Sequence, residues 1–162
     1  MSNENVSKNE ALWQLARFRD LLIQISSRFI GVPFEDARES LQEALRQIWL
    51  FVNADRAYVF DYDWDNNICK NTFEWCAEGI SSEIDHLQEI PLAAIPWWVN
   101  AHKNGEILSI PDVFVLDKSD GVRKILEPQG IKSLMTVPIM LGNTCVGFVG
   151  FDSVRHHRIY SE

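Results

Sequence analysis

The stretch from Gly130 to Arg155, GIKSLMTVPIMLGNTCVGFVGFDSVR, constrains this chain more than any other. Two long apolar runs flank Leu141-Gly142-Asn143-Thr144, where a glycine and an asparagine make positive φ cheap. The pattern predicts a β-hairpin of two long strands. Pro138 falls inside the first of them; with no N–H to give a ladder, it restricts that position to an edge or a bulge. A hairpin of this length commits the chain to an antiparallel sheet, whose other strands must lie upstream.

A second hairpin precedes it. Arg56 to Trp64 alternates, with Tyr58, Phe60, Tyr62 and Trp64 on one face and Ala57 and Val59 on the other, the period-two signature of a strand. Asp65-Asn66-Asn67 reads as the turn, and Ile68 to Ala77 as the returning strand, carrying Phe73 and Trp75. Ser81 to Leu92 suggests a short helical turn and a short strand. Pro96 to Lys103 is a predicted helix with proline at its first position, stopped by Asn104-Gly105. Glu106 to Ile110 reads as a short strand, and Ser119 or Asp120 as the cap of a helix running to Glu127. Hairpins at both ends predict an α+β fold, a central antiparallel sheet of five or six strands with helices on both faces.

Ahead of the sheet, residues 1–8 are polar and are expected to be a disordered tail, with one domain running from residue 9 to 162. A helix over about 10–30 follows. Ala11, Leu15, Phe18, Leu22, Ile25 and Phe29 are spaced 4, 3, 4, 3, 4, a heptad seam. It reads either as a helix covering a core or as a dimerisation helix joining two copies. Gly31-Val32-Pro33 is a predicted break, and a second helix is expected from Phe34 to Val52.

Composition removes several functions. The formal net charge of -8 and the lack of a Lys/Arg run argue against nucleic-acid partners. No segment approaches the roughly 18 to 20 apolar residues of a membrane span, and the polar N-terminus carries no signal-peptide pattern, so a cytoplasmic domain is expected. Cys69, Cys76 and Cys145 lack metal-site spacing and read as free thiols. His86 and His102 are isolated, and the adjacent His156-His157 would point apart, so no metal site is expected.

The wording of the Gly130–Arg155 hairpin, with Val-Pro-Ile and Gly-Phe-Val-Gly-Phe-Asp-Ser, closely resembles the last two strands of a GAF domain. Other segments match that family in order: VNADRAYVFDYD its first strand, NTFEWCAEGI its second, IPWWVNAHKNGEILSIPDV the segment beside its ligand, and EPQGIKSLMTVPI the entry to its hairpin. The resemblance spans Phe18 to Val154. EWCAEGI, IPWW and GFDSVR look most like bacterial signalling GAF domains found beside GGDEF or EAL domains and histidine kinases. It implies a sensory module that binds an unidentified small molecule and relays a signal through a helical dimer interface to an output domain. The family closes on a long C-terminal helix; His156 to Glu162 stands where that helix would begin, so a truncated helix and a longer parent protein are expected.

The resemblance also implies a pocket on one face of the sheet. By position Phe73, Trp75, Trp97, Trp98, Asp112, Phe114 and Met135 are its candidate lining, with at most one of the adjacent Trp97 and Trp98 turned inward. Cyclic-nucleotide binding departs from the pattern, because Asp152-Ser153 stands where Asn-Lys would be required. Bilin-binding relatives place a cysteine directly before a histidine; here Ala77, Lys70 and Val146 follow Cys76, Cys69 and Cys145, so neither bilin nor haem is expected as cofactor. A branch that reduces free methionine sulfoxide carries cysteines in its pocket loops, and residues 78–144 contain none. The expectation is a non-enzymatic sensory domain, with a ligand-free dimerisation spacer as the rival.

Overall fold

A computed structural model of the chain describes residues 2–30, 33 and 37–160. The described chain divides into two compact units, Met1–Asn53 and Ala54–Glu162, where the sequence led us to expect one domain from residue 9.

The first unit holds helices α1 (Ser2–Phe29) and α2 (Ala37–Val52). The stretch 2–8, expected as a disordered tail, forms the first turns of α1. It contains neither glycine nor proline. Within the unit the Phe18 and Phe51 rings pack at 5.7 Å, and Arg46 pairs with Glu43 at 2.7 Å. Asn53 closes α2 with φ of 55°, the left-handed residue that commonly ends a helix. Residues 31, 32 and 34–36, where the break and the start of the second helix were expected, lie outside the described residues, as do the side chains of Ala11 and Phe29.

The second unit is built on a six-stranded antiparallel sheet: β1 (Arg56–Asp63), β2 (Ile68–Cys76), β3 (Ile90–Pro91), β4 (Leu108–Ile110), β5 (Ser133–Leu141) and β6 (Thr144–Ser153), in spatial order β3-β2-β1-β6-β5-β4. β4 begins at Leu108 rather than Glu106. The turn between β5 and β6 is Gly142-Asn143, with Gly142 at φ 60°. Pro138 is accommodated because β4 pairs only with Leu134–Thr136; past that point β5 is an edge strand and needs no donor on that side. Helices α3 (Pro96–Lys103) and α4 (Gly121–Leu126) complete the unit. α4 is capped by Asp120, whose carboxylate accepts from the Val122 N–H at 2.7 Å.

Register decides which side chains share a face, since directly paired residues point the same way. Arg56 pairs with Asp152, Tyr58 with Gly150, and Phe60 with Phe148; Thr136 and Pro138 continue these last two rows on β5. On the other side Tyr58 faces Glu74 and Phe60 faces Asn71, with Thr72 bulged between the paired residues. The bulge puts Asn71 and Glu74, three apart in sequence, on one face. Phe73 pairs with Val59, Trp75 with Ala57 and Met135 with Phe151, so all three belong to the opposite face.

Gly150 is required by this arrangement. A Cβ there would fall inside the Tyr58 ring, which occupies the space above the glycine. Gly150→Ala is therefore expected to lower stability by about 1–3 kcal/mol, read from the urea midpoint, and a midpoint equal to wild type would refute the placement of Tyr58.

Candidate functional site

The Tyr58–Phe60 face of the sheet carries an internal cavity of about 40 Å³. Tyr58, Phe60 and Phe148 form its floor, with Cys69 and Glu74 on the β2 side. Leu87, Ile90, Ile95 and Trp98 close it from the segment between β2 and α3; Val122, Leu126, Gln129 and Ile131 close it from α4 and the entry to β5. The rings of this face pack on one another: Phe60 and Phe148 stack at 4.9 Å with 3° between planes, and Trp98 meets Phe148 edge-on at 5.6 Å. Such walls suit a planar apolar group.

The two ends of this face differ in chemistry. At the aromatic end, His102 is fully buried. Its Nδ1 lies 2.7 Å from the Tyr62 hydroxyl and its Nε2 2.9 Å from the Thr136 hydroxyl. A neutral imidazole has one donor and one acceptor, which these hydroxyls satisfy, and burial pushes the His102 pKa down to about 4. His102 reads in the sequence as an isolated histidine, because its two partners come from β1 and β5, distant in the chain.

At the polar end, Arg56 donates from Nη1 to Gln129 Oε1 and from Nη2 to the Gln129 carbonyl, both at 3.1 Å. Asp152 lies 3.8 Å from Arg56 Nη1, and neither of its oxygens accepts a hydrogen bond. Burial raises the Asp152 pKa to about 7 against the opposing pull of Arg56. Glu74 is held through Oε2, which accepts from the Ser82 hydroxyl at 2.5 Å, the Glu83 N–H at 2.8 Å and the Ile84 N–H at 3.2 Å.

Of the seven residues expected to line a pocket, Trp98 lines this one. Phe73, Trp75 and Met135 are on the opposite face by register. Trp97, 36% exposed, donates to Asp120 at 3.0 Å. Asp112 caps a short 3₁₀ turn, accepting from the Phe114 N–H at 2.9 Å, and lies 3.3 Å from His157; exposed Phe114 packs beside the Arg123 guanidinium. Glu74, Gln129 and Cys69 line the cavity without having been predicted. Burial pushes the Cys69 thiol up to about 12, and that of Cys76 likewise, so both hold their protons at neutral pH. Among the described residues no group of three or more His, Cys, Asp and Glu could hold a metal ion, and no helix is long and apolar enough to cross a membrane.

Residues 36–162 match the family model described as GAF domain. The chain is 28% identical over 131 residues to the methanogenesis regulatory histidine kinase FilI of Methanothrix harundinacea, an alignment covering 78% of this chain and 14% of the kinase. Among solved structures, the blue-light absorbing form of the Thermosynechococcus elongatus PixJ GAF domain matches with a TM-score of 0.65 at 22% identity, covering 82% of this chain and 79% of that one. The phycocyanobilin-bound GAF domain of a cyanobacterial phytochrome matches with a TM-score of 0.71 at 18% identity, covering 89% and 83%. These likenesses establish the fold.

They also correct the expectation that a bilin is not a cofactor. A solved domain of the same fold holds phycocyanobilin, and the expectation rested on a missing Cys-His pair alone. Packing and hydrogen bonds can also hold a flat, largely apolar molecule, so the missing pair is no ground for excluding one.

The two buried titrating groups have opposite effects on stability. A raised folded-state pKa stabilises fully below the unfolded value and loses that contribution as pH rises through the folded value; for Asp152 the loss runs from 3.8 to about 7. A lowered one acts in reverse, and the His102 contribution is lost as pH falls from 6.5 to about 4. In the wild type the two largely offset. Asp152→Asn is expected to leave only the histidine's dependence, so that its stability rises relative to wild type across this window by on the order of 3 kcal/mol. His102→Gln is expected to do the opposite. Urea midpoints at half-unit pH steps check both, and an Asp152→Asn profile parallel to wild type would refute a protonated Asp152.

Proposed function

The chain belongs to the GAF domain family, and we propose that it is the sensing part of a longer signal-transduction protein, binding a small molecule in the Tyr58–Trp98 cavity and relaying occupancy through a helical dimer to an output domain. Sensory signalling is what the family generally does, and no catalytic role is assigned to this stretch. The observation that carries the reading is the cavity itself: an apolar chamber with an aromatic floor and two polar side chains, Glu74 and Gln129, at its rim. Because the related kinase spans far more sequence than this chain, a histidine kinase is the output domain favoured here, ahead of a GGDEF or EAL domain.

Ligand binding signals only to the extent that it favours one of two states. The dimer contact is assigned to α1. Leu15 is 64% and Leu22 48% exposed, and Leu12, Trp13 and Ile23 beside them are also exposed, an apolar surface that a second α1 would cover. A bilin is a second reading, favoured by the phytochrome likeness. Phe60, Phe148 and Trp98 would hold its flat rings, Glu74 would accept from its N–H groups, and the cavity would have to widen beyond its present volume. When bound, such a group supplies light absorption.

Two measurements test these readings. Thermal shifts with nucleotides, amino acids, small aromatic compounds, biliverdin and phycocyanobilin are expected to single out one class; a flat screen with dimerisation intact would favour the spacer reading. In sedimentation, wild type is expected to show a concentration-dependent dimer that a Leu15→Glu, Leu22→Glu double variant abolishes. An unchanged dimer in that variant would refute the α1 interface.

A further inference from the structure

Behind the Glu74 side of the cavity lie spare hydrogen-bond acceptors. Asn71 is 1% and Asp152 0% exposed, and both are on the sheet face that carries the cavity without lining it, Asn71 beside Phe60 and Asp152 beside Arg56. Asn71 Oδ1 and both Asp152 oxygens accept nothing. Glu74, which lines the cavity, is pinned through Oε2 by three donors, while its Oε1 has only a long 3.4 Å contact from the Asn71 amide. A carboxylate fixed by one oxygen presents the other in a set orientation, and buried acceptors left unmet call for a donor. Donors are scarcer at this end: Arg56 has committed both Nη atoms to Gln129, and only its Nε is free. Acidic groups also outnumber basic ones, since Glu74, Asp55 and Glu83 all act on Asp152 against Arg56.

We propose that the ligand carries an N–H-bearing head, an amidine, guanidine or protonated amine on a small flat apolar body, with Glu74 Oε1 accepting from it and Asn71 and Asp152 standing in the layer behind Glu74. The body lies on Phe60 and Phe148. The partly exposed Leu87, Ile90, Ile125 and Gln129 at the mouth yield to admit it.

This rests on the cavity being a ligand site, and the test separates the two. Benzamidine, benzamide and benzoate share one ring and nearly one shape but differ in donors and charge. They are titrated into the protein while the indole N–H resonance of Trp98, a cavity wall, is followed by NMR. Benzamidine is expected to bind at least about tenfold more tightly than benzoate, with benzamide between. At about pH 8, where Asp152 is mostly ionised, Glu74→Gln, which keeps the side chain's shape, is expected to reduce that ratio to about threefold or less; Asp152→Asn, remote from the turn Glu74 holds, is expected to reduce it by less and in the same direction. Benzoate binding as well as benzamidine, or a ratio untouched by both substitutions, overturns the inference and leaves the cavity a ligand site. No response of Trp98 to any of the three at about 20 mM overturns the site and the inference with it.

Discussion

The pairing of β1 with β6 in a single register governs everything on the cavity face. Tyr58 requires a residue without a side chain opposite, and Gly150 provides it. Phe60 requires a flat neighbour, and Phe148 stacks on it. At Gly147 the missing side chain lets the Phe60 carbonyl approach closely. A slip of one residue would turn Ala57, Val59 and Phe151 toward the cavity and abolish both the stack and the Arg56–Asp152 row, because side chains alternate faces along a strand. Two glycines and two stacked rings thus fix the register from within, and the cavity is where the large side chains of this face leave a gap.

That face joins two regions with different electrostatics. Around His102 the ring is neutral and paired on both nitrogens, the hydroxyls of Tyr62 and Thr136 bracketing it, while the buried Trp98 Nε1 beside it has no partner. Around Asp152 the pairing is incomplete, since Arg56 is turned toward Gln129 and the carboxyl is left without a hydrogen bond. An unmet buried acceptor costs about 1–3 kcal/mol, and such groups persist where the surrounding structure holds them in place for another purpose. At the aromatic end one donor, Trp98 Nε1, is left to satisfy; at the polar end the unmet groups are mostly acceptors.

Local signals in the sequence were enough for most of the fold. Both hairpins, the proline-led helix at Pro96 and the Asp120 cap could be read because turn chemistry, period-two alternation and capping act over a few residues. The site was less legible, for a geometric reason. Alternation tells that Phe73 and Trp75 share a face but not which face, and the bulge at Thr72, which sets Asn71 and Glu74 beside Phe60 and Tyr58, has no signature in NTFEWC. Choosing aromatics therefore picked the wrong face of β2, and the same parity places Met135 with Phe151. Nothing local singles out Glu74, because its three donors lie eight to ten residues downstream. The Pro-Asp at 111–112 proved to be turn chemistry, with Asp112 capping the backbone of Phe114. The bilin expectation failed differently: one anchoring pair was taken to stand for a whole mode of binding.

The strand ends offer a physical route from the cavity outward. Asp55, one residue before Arg56, accepts through Oδ2 from the backbone N–H groups of Val154 and Arg155, both at 2.8 Å. The Arg155 guanidinium reaches Asp55 Oδ1 and the Glu78 carbonyl. Asp152 passes its own carbonyl to the Asp55 N–H at 2.9 Å. The chain's entry into the sheet and its exit are therefore clamped together beside the Arg56–Asp152 row. Gln129 lines the cavity and holds Arg56, so a ligand that displaces Gln129 changes the partner of a buried cation one residue from that clamp. With its Nη atoms released, the carboxyl nearest to Arg56 among the described residues is Asp152 at 3.8 Å, and closing that gap with Asp152 ionised would stiffen the end of β6 where the chain departs. A cavity at the centre of the sheet would communicate diffusely through packing; one whose polar rim is joined by a single glutamine to the strand-end clamp has a short, charged connection whose two arrangements differ in which partner the guanidinium serves.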